Sequence, residues 1–98
     1  MEISIPISKN QSNTLLIIEN SLHPYLIGKY QFIEGGLSQN NILYTIRDKQ
    51  SNIKFIITII QTTNNKILIN IRSLLKTQTE QYTKTILNEI KEFIENLI

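Results

Sequence analysis

Cysteine is absent from this chain, which removes disulfide frameworks, thiolate nucleophiles and cysteine-ligated zinc or iron–sulfur centres together. Only one aspartate, Asp48, and one histidine, His23, occur. A two-metal carboxylate site would have to be gathered from scattered glutamates, which argues against nuclease or phosphatase chemistry. Long apolar runs are missing too. The longest, Leu15 to Ile18, is four residues, against the ~20 needed to span a bilayer. The opening MEISIPISKN has neither the basic flank nor the long apolar stretch of a signal peptide. The expectation is a soluble protein of the cytoplasm or another reducing internal compartment, with no membrane insertion.

Alanine and tryptophan do not occur, whereas isoleucine fills 21 positions and asparagine 11. An A·T-rich coding sequence produces such a skew, so it is a genomic habit before it is a functional sign. Isoleucine loses rotamer freedom in helices and packs well on strands. Every helix must therefore be supported by periodicity and caps. With 98 residues, one domain is expected, able to bury about two-thirds of its extended surface. Its core would be thin, and association with a partner would stabilise it.

In EISIPIS, Ile3, Ile5 and Ile7 alternate with Ser4, Pro6 and Ser8, and Pro6 makes this an edge strand or one with a local irregularity. In SNTLLIIENSLHPY, Ser12 or Asn13 could cap a helix with Leu15, Ile18 and Leu22 on one face, and Pro24 is expected to end it. A strand through Leu15–Glu19 is the alternative reading of the 14–22 segment, and the helix is preferred. KYQFIE reads as a strand ending at Gly35-Gly36, where a flexible turn with φ > 0 is expected. NILYTIRD, IKFIITIIQ and KILINIRS follow, and their short connections require antiparallel hairpins. A three-stranded meander from Ile42 to Ser73 results.

The last segment, from Thr77, opens on a capping-box pattern of Thr77 with Glu80. Tyr82, Ile86, Ile90, Phe93 and Leu97 form an apolar stripe with Leu87 and Ile94 beside it, opposite a polar face of Lys84, Asn88, Lys91, Glu92 and Glu95. The expected fold is α+β, an antiparallel sheet of about four to five strands in the order β-α-β-β-β-β-α with the carboxyl-terminal helix packed on one face.

The stretch from Ile53 to Ile60 is apolar on both faces. Ile53, Phe55, Ile57 and Ile59 share one parity, and Ile56 and Ile60 the other. If the register aligns Leu43 and Leu68 with Ile56 and Ile60, the second face is too apolar to stay wet. Either the first helix and its loop wrap around it, or a second copy packs there. Leu43, Ile56, Ile60 and Leu68 are thus candidate interface residues.

No catalytic, cofactor-binding or metal-binding constellation stands out. His23 falls at the expected helix end, where a general base or metal ligand would need an oriented carboxylate or further ligands. Glu19 is the nearest, at i,i+4. EGGLSQNN lacks the spacing and lysine of a phosphate loop. Between Arg47 and Lys76 there are six positive residues against Asp48 alone, a local +5. Arg47, Lys54 and Arg72 have the outward parity, so they are candidate phosphate contacts on a basic sheet surface. Tyr44 and Phe55 have the core parity, so the exposed aromatics of a single-strand reader are missing. The resulting expectation is a non-catalytic protein-interaction, adaptor or assembly module acting as a homodimer, with no cofactor and a protein partner of unknown identity. The alternative is a nucleic-acid-binding protein.

Overall fold

A computed structural model describes residues 1–7, 13–62, 65–74 and 80–98. The elements are β1 (Glu2–Pro6), α1 (Thr14–Lys29), β2 (Gln31–Leu37), β3 (Asn41–Arg47), β4 (Lys54–Gln61), β5 (Lys66–Ser73) and α2 (Glu80–Leu97). The five strands form one sheet in the order β1-β5-β4-β3-β2, and all neighbours are antiparallel. The expected element order and the meander are both present, and the meander extends to β2. The capping residue Thr77 lies outside the described residues.

The parity of the strands builds the core. Ile42, Tyr44 and Ile46 of β3, Phe55, Ile57 and Ile59 of β4, and Ile67, Ile69 and Ile71 of β5 are all fully buried. Register places them in rows: Ile42 opposite Ile59 and Ile59 opposite Ile69, Tyr44 opposite Ile57 and Ile57 opposite Ile71. Both helices lie on this face, α1 over β2, β3 and β4, and α2 over β5 and β1. The first helix therefore does not wrap around the sheet. Among the described residues, no helix covers the opposite face.

Segment 14–22 is helical, with Leu15, Ile18 and Leu22 buried as the pattern predicts. Pro24, however, does not end it: α1 continues to Lys29 with Pro24 inside. Proline removes one backbone donor and crowds the preceding turn, at a cost of about 3 kcal/mol or more. Leu26 is fully buried one turn past Leu22, and Tyr30, also buried, closes the helix by donating its N–H to Leu26 O at 2.8 Å. Burial of two large side chains, about 1.5–3 kcal/mol each, offsets the loss. His23 consequently sits within the helix and not at its end.

Gly35 and Gly36 are also placed differently from expectation, inside β2. The positive φ is real, +142° at Gly35, but its cause is packing and not a turn. A Cβ on Gly35 would stand 2.3 Å from Leu43 O and 2.8 Å from Tyr44 Cδ1. β2 is further broken by a register shift between Phe32 and Glu34. At the other sheet edge, Ile7 donates its N–H to Asn65 O at 2.8 Å. The odd residues of β1 thus face β5, and the even ones, Pro6 among them, present their backbone outward. The turns use asparagine in the left-handed region, Asn52 at φ 61° and Asn65 at φ 57°, which its short polar side chain tolerates.

The apolar face of α2 is rotated from the expected stripe. Thr83, Ile86, Leu87, Ile90 and Ile94 are buried, while Phe93 is only partly buried and Tyr82 is 51% exposed. Phe93 lies toward α1, its ring stacked on Tyr25 at 4.5 Å. Replacing Ile90 with alanine should therefore cost about 2–5 kcal/mol, Phe93→Ala less, and Tyr82→Ala almost nothing. Urea unfolding midpoints test this order. Equal midpoints for Ile90→Ala and Tyr82→Ala would contradict the orientation of the helix.

Candidate interaction face and a buried polar cluster

The uncovered face of the sheet carries the residues of the second parity. Ile60 stands directly opposite Leu68, and Leu43 and Ile56 flank Thr58, the residue opposite Leu43. Diagonal neighbours on one sheet face lie about 7–8 Å apart, within reach of long side chains. The four candidate interface residues therefore form one patch. Leu43 is 49% and Ile60 37% exposed, whereas Ile56 and Leu68 are partly shielded by their neighbours. Ile60 also borders, with Leu16 of α1 and Leu37 of β2, a cavity of about 660 Å³.

The three basic candidates meet at the other end of the same face. Arg47 is directly opposite Lys54. Arg72 is opposite Ile56, two residues along β4 from Lys54. Like charges placed so close repel, and Arg47 Nε is buried with no hydrogen-bond partner. No aromatic side chain has the parity of this face among the described residues, and Tyr44 and Phe55 are fully buried beneath it.

Beneath the sheet, α1 brings a second group of polar side chains together. Glu19 Oε1 lies 3.4 Å from His23 Nδ1. The imidazole packs against Phe32 at 4.9 Å and meets Tyr44 edge-on at 5.8 Å. The i,i+4 spacing of Glu19 and His23 is visible in the sequence. Tyr44, more than twenty positions away, joins them only through the α1–sheet packing. Burial pushes the Tyr44 phenol well above its ordinary range, and the Glu19 carboxylate adds to the effect.

A third polar group ties the helices together. Lys29 of α1 donates to Glu89 of α2, and Tyr30 donates its hydroxyl to the same carboxylate at 3.2 Å. Burial opposes the Lys29 ammonium, but Glu89 and the Tyr25 hydroxyl outweigh it and hold its pKa above the usual value. Burial, followed by the Glu89 charge, raises Tyr30 far above the usual phenol value. The adjoining cavity of about 510 Å³ is bordered by Lys29, Lys49, Asp48 and Glu89, two charges of each sign.

No helix among the described residues is long and apolar enough to cross a membrane. No family model matches the chain, and no curated protein and no solved structure matches it.

The two buried phenols set an alkaline limit. Their folded-state pKa values are raised, so the fold favours the protonated form. Their contribution is complete below the ordinary phenol pKa of about 10 and is lost as pH rises beyond it. Stability measured from pH 8 to about 12 should fall for the unmodified chain and fall less steeply for the Tyr30→Phe, Tyr44→Phe double variant. Parallel curves would contradict the assignment.

Proposed function

We propose that the chain is a non-catalytic interaction module that associates with a second copy of itself through the open face of its sheet. The observation that carries this reading is the contiguous patch of Leu43, Ile56, Ile60 and Leu68 on a face that neither helix covers. The outer apolar side chains of such a patch gain most when a similar surface excludes water from them. The charges choose the orientation. Stacking two faces with strands running the same way would set Arg47, Lys54 and Arg72 over their own copies. Reversing one copy sets them over the opposite end, near Asn41 and Ser4, where Lys66 is the charge they would meet, and lays Ile56 over Ile60. This is an isologous, two-fold contact.

The basic cluster supports a second reading, in which the face receives nucleic-acid phosphates. Its specific support is the direct Arg47–Lys54 pair with Arg72 nearby, and an Arg47 Nε with no acceptor. Contacts of this kind are independent of sequence and strongly dependent on salt.

Sedimentation or light scattering separates the two. Under the first reading, the unmodified chain is a dimer at micromolar concentration, and Ile56→Glu, which would bury a charge at the contact, makes it monomeric while leaving its circular dichroism intact. A folded monomer at high micromolar concentration in the unmodified protein removes that reading. Under the second, exchanging Arg47, Lys54 and Arg72 together for glutamine weakens oligonucleotide binding at every sequence and flattens its salt dependence. Binding no tighter than millimolar at about 0.1 M salt removes it.

A further inference from the structure

On the helix side of the sheet, away from its open face, the cavity of about 510 Å³ lies where the end of α1, the turn between β3 and β4 and the first turns of α2 meet. Its size falls within the roughly 300–1,000 Å³ of small-molecule sites. Lys29 and Glu89 neutralise each other across one wall, and Glu89 also accepts from Tyr30. Two charges in the lining remain open. Among the described residues, Asp48 accepts through its carboxylate from neutral groups alone, the Ser51 N–H at 2.9 Å and the Ser51 hydroxyl at 2.7 Å, and Lys49 makes no ion pair.

We propose that this cavity is a binding site for a small zwitterion of the amino-acid or dipeptide class, with its ammonium on Asp48, its carboxylate on Lys49 and an apolar side chain against Tyr82 and Ile86.

The open charges select the class of ligand. A carboxylate and an ammonium on consecutive residues match a molecule that carries both signs. A simple anion would leave Asp48 unpaired, a simple cation would leave Lys49 so, and taking such charges out of water is costly unless each finds a partner. Glu89 is already satisfied by Lys29 and Tyr30, so the ammonium goes to Asp48. That carboxylate is set before a ligand arrives. Ser51 holds its side chain, while its backbone closes the turn, donating its N–H to Ile53 O and accepting from the Asn52 N–H at 2.9 Å each. Preorganisation of this kind removes ordering cost from binding.

Tyr82 supplies the apolar contact. Its side chain is 51% exposed and does not pack against the core, yet it lines the cavity beside Ile86, which is buried. A tyrosine ring offers a large contact area and has few rotors to order when a ligand arrives. The amides of Gln50 and Gln81 complete the lining. Each can both donate and accept, which suits the peptide bond of a dipeptide.

The test is calorimetric titration of the full chain with L-phenylalanine and with L-leucyl-L-phenylalanine. The site predicts one molecule per chain, with a dissociation constant below about 1 mM for at least one of the two. N-acetyl-L-phenylalanine, which lacks the ammonium, and L-phenylalaninamide, which lacks the carboxylate, should each bind at least about tenfold more weakly than L-phenylalanine. Lys49→Gln should weaken L-phenylalanine by about the same factor and leave L-phenylalaninamide unchanged, and Tyr82→Ala should weaken both. Both positions are exposed, and unfolding midpoints equal to that of the unmodified chain establish that the variants are folded. Failure of both probes to saturate with a dissociation constant below about 1 mM overturns the site. So does binding that Lys49→Gln and Tyr82→Ala leave unchanged. The analogues decide without any variant, because equal affinity for the charge-deleted molecules would equally overturn it.

Discussion

The row of Phe55, Ile57 and Ile59 at the centre of the sheet is the constraint on which the remaining structure depends. β4 is held between β3 and β5, and its register fixes the parity of both neighbours. A slip of one residue would send every one of these side chains to the opposite face. Because α1 packs over β2, β3 and β4 and α2 over β5 and β1, on the face to which that row points, the two helices are committed to one side of the sheet. The exposed patch on the other side follows from the same alternation, since Ile56 and Ile60 occupy the intervening positions of the same strand.

Periodicity of two made the strands legible in the sequence, and short connections made their antiparallel pairing legible. The failures have particular causes. Local rules stop a helix before Pro24, but they do not weigh the burial of Leu26 and Tyr30 beyond it. Gly35-Gly36 has the composition of a turn. It serves instead to let β2 pass close to Tyr44, a requirement set by a residue on another strand. On α2, Tyr82 fits the helical period as well as Leu87 does, and only the position of α1 and the sheet decides which of them is covered.

The candidate site was legible to the same degree. Parity placed Leu43, Ile56, Ile60 and Leu68 on one face, and Arg47, Lys54 and Arg72 with them. Their separation into an apolar patch and a basic end came from strand register, which the sequence expresses only weakly. The Glu19–His23 pair could be read from its spacing, but nothing local indicates Tyr44 or the Gly35 gap beside it. Of the polar features, those built within one helix were visible and those built between layers were not.

The edges of the sheet limit what the open face can do. A strand border normally invites another chain to extend the ladder. Here Pro6 deletes an outward donor from β1, while the register shift and the φ of +142° at Gly35 distort β2. Lateral growth is thus obstructed at both borders. Stacking of the kind proposed would occupy the open face of both copies, so an assembly made through that face alone would close at a pair and would not propagate into a fibre.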